Sequence, residues 1–137
     1  MEVPAGLLPF VTADGNELWF ASTGNTGSNS SDLWRAVKSG QSFGQPTPVG
    51  ELNTSSSEYC PTLSADRLTV YFSSDCTGAS TTIWVSHRAS ADDGFRTPAP
   101  VDELNAAGFG FVSWISSDNC RIYGTANGMF YVATRLR

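Results

Sequence analysis

The chain has 137 residues, of which 40% are hydrophobic and 12% aromatic, enough for the packed core of one ordinary domain, so disorder is not expected. Its formal net charge of −5 and the absence of a basic stripe exclude nucleic acid as a natural partner. No apolar stretch approaches the roughly 18 residues of a membrane span. The N-terminus also lacks a secretory signal, so we expect a soluble molecule whose leader, if it is exported, is removed or lies outside it.

The chain then repeats one pattern of short strands three times. The segment PFVTADGNELWFAS at 9–22 returns as PTLSADRLTVYFSS at 61–74 and, more weakly, as SWISSDNCRIYGTA at 113–126. A second block, FGQPTPVGELN at 43–53, matches FRTPAPVDELN at 95–105. Such a repeat decides the architecture and is interpreted before anything else.

Each unit contains four strand-like segments. The first ends at a turn built on an aspartate, the second alternates in polarity, and the third is centred on Trp34, Trp84 or Tyr131. The fourth is rich in proline, which cannot donate a ladder hydrogen bond and therefore belongs on an outer edge. Four strands in about 40 to 50 residues predict the blade of an all-β propeller.

The predicted domain is a single partial β-propeller of about three blades. Blade 1 covers about 9–53, blade 2 about 61–105, and an incomplete blade 3 about 113–137. The carriers of the pattern in blade 2 are Pro61, Leu63, Ser64, Asp66, Val70, Tyr71, Phe72, Ser74, Ile83 and Trp84.

On these residues the repeat resembles the WD40-like propeller repeats of the TolB type. The resemblance implies a periplasmic, cell-envelope or secreted setting, but it does not specify an activity, because such blades serve many functions. The chain departs from the pattern at several positions: Arg67 and Asn119 follow the turn aspartate in place of glycine, Ser113 replaces the proline, and Gly124 replaces the phenylalanine.

Three blades are too few to close a ring, because propellers have roughly four to eight. One expectation is a homodimer in which two half-propellers make six blades. The alternatives are a piece of a longer propeller, or a monomer that protects its own strand edges.

The three cysteines leave at least one without an intramolecular partner. Cys60 precedes the first strand of blade 2 and Cys76 follows the second, so an antiparallel hairpin would bring them together as a disulfide. The alternative is two separate small hydrophobes. Cys120 stays single in both cases, and with His87 as the only histidine we expect neither a metal site nor a cofactor.

In a propeller, the loops that precede the first strand and follow the second emerge on one face, at the mouth of the central channel. The candidate ligand-binding residues there are Glu58, Tyr59, Asp75, Phe109 and Trp114, with Trp114 either lining or filling the channel. Their chemistry suits a protein segment, a polar small molecule or a sugar. Asn53 and Asn105 recur at matching positions and are expected to cap turns.

The recurring aspartates Asp14, Asp66 and Asp118 are interpreted as turn residues, because a catalytic pair must converge on one site. The favoured function is therefore a non-enzymatic module that binds a protein segment or polar ligand at the channel mouth. The alternatives are a carbohydrate-binding lectin assembled from partial propellers and a fragment of a larger propeller enzyme.

Overall fold

The computed structural model describes residues 7–23, 30–75 and 80–134, and these form three antiparallel sheets, one for each repeat. The fold-class prediction is confirmed: the chain is an all-β, partial β-propeller. Blade 1 contains β1 (Leu7–Val11), β2 (Glu17–Ser22), β3 (Asp32–Ser39), β4 (Ser42–Phe43) and β5 (Thr47–Pro48). Blade 2 contains β6 (Glu58–Leu63), β7 (Thr69–Ser74), β8 (Thr82–His87) and β9 (Ala99–Pro100). A short helix, α1 (Asp102–Ala106), leads into blade 3, which contains β10 (Phe109–Ile115), β11 (Arg121–Ala126) and β12 (Met129–Thr134).

The first two strands of every blade are joined by the predicted aspartate turn. In blade 2, the Ser64 hydroxyl donates to the Asp66 carboxylate at 2.5 Å, and the Leu68 amide donates to the same oxygen at 3.0 Å. Arg67 between them has a φ of +63°. Hydrogen bonds from the hydroxyl side chain two residues earlier lower the pKa of all three aspartates, Asp66, Asp14 and Asp118. The carboxylates therefore organise local backbone.

The proline-rich fourth strands lie on the outer edge, as predicted, and each has only two residues. β5 pairs with β3, and β9 pairs with β8. The asparagine that follows each of them binds the third strand instead of capping a turn, which corrects the sequence-based expectation. Asn53 accepts from the Leu33 amide at 2.7 Å and donates to the Leu33 carbonyl at 3.0 Å. Asn105 makes the same two bonds with Ile83, at 2.7 and 3.1 Å.

Apolar side chains pack between neighbouring blades, so the core is divided into two clusters. The first joins blades 1 and 2 and contains Trp19, Ala21, Leu33, Val49, Leu52, Leu63, Val70, Phe72 and Phe95. The second joins blades 2 and 3 and contains Ile83, Leu104, Phe109, Val112, Ile115 and Ala126. Blades 1 and 2 are thus each packed against the blade that follows, as in a propeller.

Three features of the fold differ from the repeat pattern. The first strand of each sheet begins a few residues before the predicted unit boundary. Blade 1 has an extra two-residue strand, β4, which forms a small hairpin with the end of β3. The turn after β9 closes into helix α1, whose Leu104 side chain is buried. In the described part of blade 3, β12 is the last strand of its sheet.

Candidate functional site

The three innermost strands line one groove of about 410 Å³. Equivalent segments of β1, β6 and β10 contribute to it, together with one residue of β11. The lining consists of Leu8, Pro9, Phe10, Cys60, Pro61, Thr62, Phe111, Val112, Ser113 and Thr125. Because these are the channel-facing positions of consecutive blades, the groove is the described part of the central channel. Its surface is mainly apolar, which suits the anchoring of an apolar side chain.

The shape of the groove depends on two matching irregularities in β1 and β6. The pairing of each strand shifts across its proline, between Leu7 and Phe10 in β1 and between Tyr59 and Thr62 in β6. The shifted residues adopt left-handed backbone, with φ of +58° at Leu8 and +55° at Cys60. Bulky residues rarely adopt this conformation, and such strain concentrates at binding sites. The prolines Pro9 and Pro61 follow directly.

Sequence reasoning missed most of this lining. Apart from Trp114, which it placed on an innermost strand, it placed the candidates at the channel mouth, whereas the groove is formed by the inner strands themselves. The recurrence of proline within the first strand, at Pro9 and Pro61, was the available signal. A proline within a predicted strand indicates a bulge, and bulges are common beside binding sites.

Glu58, the first predicted ligand residue, is fully buried with an exposed fraction of 0%. Its carboxylate accepts from the Thr54 amide at 3.0 Å, the Thr54 hydroxyl at 2.5 Å and the Ser74 hydroxyl at 3.3 Å. Burial raises the pKa of Glu58, although these hydrogen bonds oppose the rise. In this structure the side chain bonds to Thr54 of the preceding loop and to Ser74 of β7, and its contact with a ligand stays a prediction.

Tyr59 and Asp75 lie at the predicted mouth. The Tyr59 hydroxyl is 2.8 Å from the Thr81 hydroxyl, and its ring lies 6.2 Å from the ring of Phe111, which lines the groove. Asp75 is exposed, and its carboxylate accepts from the Ser57 amide at 2.8 Å. Tyr59 therefore lies between a mouth loop and the groove, whereas Asp75 joins two mouth loops, and the contact of either residue with a ligand stays a prediction.

Phe109 is buried and fills space left by a departure from the repeat. Gly124 stands where blade 2 has Phe72, and a Cβ atom at Gly124 would lie 2.1 Å from the Phe111 carbonyl oxygen and 3.0 Å from the Phe109 ring. The Phe109 ring thus occupies the volume of the missing phenylalanine side chain, and it also lies 6.3 Å from the ring of Tyr131. Its position indicates a packing role in this structure.

Trp114 lies outside the groove lining, on a face of blade 3 that no described blade covers. The ring is 52% exposed and lies 5.2 Å from the ring of Tyr123. The same face also carries the exposed Phe130 and Val132. We call Trp114, Tyr123, Phe130 and Val132 the free face. At the matching positions of blades 1 and 2, Phe10, Trp19, Tyr71, Leu33 and Ile83 pack in the two clusters between blades.

Cys60 is buried and forms no disulfide with another described residue. Burial raises its pKa to about 12, so the thiolate needed for reaction is scarce at neutral pH. Cys76, its predicted disulfide partner, lies outside the described residues. The pairing therefore remains a prediction.

The described residues contain no group of three or more His, Cys, Asp or Glu side chains placed to hold a metal ion. They also include no helix with the length and hydrophobicity that a membrane crossing requires. The charged groups that do cluster, around Glu17, lie between blades 1 and 2.

The chain is similar in structure to TolB from Acinetobacter baumannii, seen in a crystal structure. The TM-score is 0.55 at 16% sequence identity, and the match covers 96% of this chain but 30% of the TolB chain. The likeness therefore concerns the fold, over less than a third of the length of TolB. No protein-family model and no curated protein matches the chain.

Proposed function

We propose that this chain is a non-enzymatic binding module that holds a protein segment in the groove formed by its inner strands. The observation that carries the proposal is the convergence of three equivalent segments, around Leu8, Cys60 and Phe111, on one mainly apolar cavity. An extended segment crossing the channel mouth would place one apolar side chain in the groove. Polar groups of Tyr59 and Asp75 at the mouth would orient its backbone.

The groove is one side of a channel, and further blades would complete it. We propose that a second copy supplies them, so that two half-propellers form one ring of six blades. The exposed apolar residues of the free face support this assembly, because matching residues in blades 1 and 2 are covered by the next blade. We also propose the periplasmic, cell-envelope or secreted setting that the resemblance of the repeat implies.

A pair of tryptophan variants tests binding in the groove. Ser113 and Ser117 are both exposed serines of blade 3, but only Ser113 lines the groove. Ser113→Trp fills the cavity, whereas Ser117→Trp adds the same ring on the aspartate turn. Phage-displayed random peptides would be selected on the immobilised wild-type chain. We expect the enriched peptides to bind the Ser117→Trp variant unchanged and the Ser113→Trp variant at least tenfold more weakly.

A glycan array probed with the same three proteins tests the lectin alternative. Peptides that bind all three proteins equally would contradict the proposed site. A glycan that binds the wild type and loses binding in Ser113→Trp, with no peptide enriched, would replace the proposal with a lectin.

A further inference from the structure

In blades 1 and 2, the outer edge of the third strand is hydrogen-bonded by the segment that follows it, and β12 presents an equivalent edge in blade 3. In blade 1, the Leu33 carbonyl accepts from the Val49 amide at 2.9 Å, and Asn53 bonds both the amide and the carbonyl of Leu33. In blade 2, Ile83 receives the same three bonds from Val101 and Asn105. The two donor segments share the sequence Pro-Val-x-Glu-Leu-Asn, at 48–53 and 100–105.

Phe130 is the residue of blade 3 that corresponds to Leu33 and Ile83. Its cross-strand partner in β11 is Thr125, just as Ala21 and Ser73 are the partners in blades 1 and 2. The matching register directs the amide and carbonyl of Phe130 away from β11, toward the outer edge. Among the described residues no group hydrogen-bonds to this edge at Phe130, whose side chain is 89% exposed.

We propose that this edge of β12 is a binding site for an extended segment with the pattern Pro-Val-x-Glu-Leu-Asn. The two copies of the pattern within residues 1–137 are already engaged, one in blade 1 and one in blade 2. The incoming segment would add a short outer strand, its valine amide would bond the Phe130 carbonyl, and its asparagine would bond both groups of Phe130. This is recognition by strand addition, in which backbone bonds supply affinity and side chains supply specificity.

The leucine of the pattern adds selectivity. Leu52 packs in the cluster that contains Leu33, and Leu104 packs in the cluster that contains Ile83. On blade 3 the corresponding leucine would cover the exposed ring of Phe130. The site is separate from the groove, because none of the groove-lining residues belongs to β12.

A labelled peptide with the sequence RTPAPVDELN, which is that of residues 96–105, tests the proposal by fluorescence anisotropy with the 137-residue chain. We expect saturable binding that becomes at least tenfold weaker when alanine replaces the peptide asparagine. Phe130→Pro removes the outward amide, which an edge strand tolerates, and should weaken binding to the same extent. Phe130→Leu keeps the amide, restores the residue type of blade 1 and should bind as the wild type does.

If RTPAPVDELN binds no better than a scrambled peptide, the proposal is overturned. This also holds if the edge is covered by a second copy of the chain, because the edge is then not a site for the peptide. The proposal is also overturned if the wild-type chain binds the alanine-substituted peptide as tightly as RTPAPVDELN. This comparison needs no variant of the protein. The groove variant Ser113→Trp should leave this binding unchanged, so failure at the edge and failure at the groove give different results.

Discussion

Glu17 of blade 1 and Arg88 of blade 2 form a buried ion pair across 71 residues of sequence, with 3.5 Å between the Arg88 Nη2 and Glu17 Oε1 atoms. The Trp19 indole donates to the other carboxylate oxygen at 2.8 Å, and Arg67 approaches Glu17 at 3.2 Å. Arg88 also donates to the Arg67 carbonyl and lies 4.6 Å from the ring centre of Phe95. These contacts fix how blade 2 sits against blade 1.

Removing only Arg88 should lower the free energy of unfolding far more than removing the charges of both Glu17 and Arg88. Arg88→Met leaves Glu17 buried with Arg67 as its remaining cationic partner, and we expect a loss of about 3 kcal/mol in the free energy of unfolding. Glu17→Gln keeps an acceptor for Trp19, so the double variant Glu17→Gln/Arg88→Met should be more stable than Arg88→Met alone. Urea unfolding of the four proteins measures this coupling. Strictly additive effects would show that the pair does not act as a unit.

Gly124→Ala tests the close approach of β10 to β11. The added Cβ atom would lie 2.1 Å from a backbone oxygen, which cannot yield without a shift of the strand. We expect a loss of about 2 to 3 kcal/mol, as for overpacking in a core. Gly110→Ala is the matched control, because its Cβ would meet nothing closer than 4.0 Å. Equal midpoints of thermal unfolding for the two variants would contradict the close approach of β10 to β11 at Gly124.

Glu58 should make stability depend on pH. Burial raises its pKa above the ordinary 4.5, so the native state binds the proton more tightly than the unfolded chain does. Stability from this group is therefore fully present below pH 4.5 and is lost as the pH rises through the native pKa.

Glu58→Gln removes this titration and can keep the contacts, because the hydroxyls of Thr54 and Ser74 can accept as well as donate. The free energy of unfolding of the wild type, minus that of Glu58→Gln, should fall between pH 4 and pH 8. A difference that stays constant or grows over that range would contradict the raised pKa.

The proposed assembly predicts a particle of twice the 14.6 kDa chain mass by light scattering on a size-exclusion column. Trp114→Lys places a charge on the free face and should yield monomer. Val37→Lys makes the same change at an exposed valine of blade 1 and should leave the dimer intact. A wild-type monomer would contradict a ring of two half-propellers.

The blade repeat could be predicted from the sequence because it depends on local residue patterns. Proline marks the outer strands, the aspartate turns recur, and the alternating second strands follow the period of a half-buried sheet. The channel face was also foreseeable from the blade pattern, but the groove itself depends on backbone shifts at Leu8 and Cys60, which composition does not reveal.

The contacts between blades could not be predicted from the sequence. Glu17 forms ion pairs with Arg67 and Arg88 at one blade interface. At the next interface, the positions that match Glu17 and Arg67 are Thr69 and Asn119, which cannot form an ion pair. Glu58 was singled out because it has no counterpart in the repeat, but the sequence did not reveal its burial or its hydrogen bonds to Thr54, which bind it to its own loop.

The central claim, that ligand enters the groove of the inner strands, is tested most directly by NMR with isotope-labelled chain and a peptide enriched by selection. We predict that the largest amide shifts fall at Leu8, Phe10, Thr62, Phe111 and Val112. Shifts confined to the aspartate turns, or to the loop at 80–82, with the groove amides unmoved, would contradict the account.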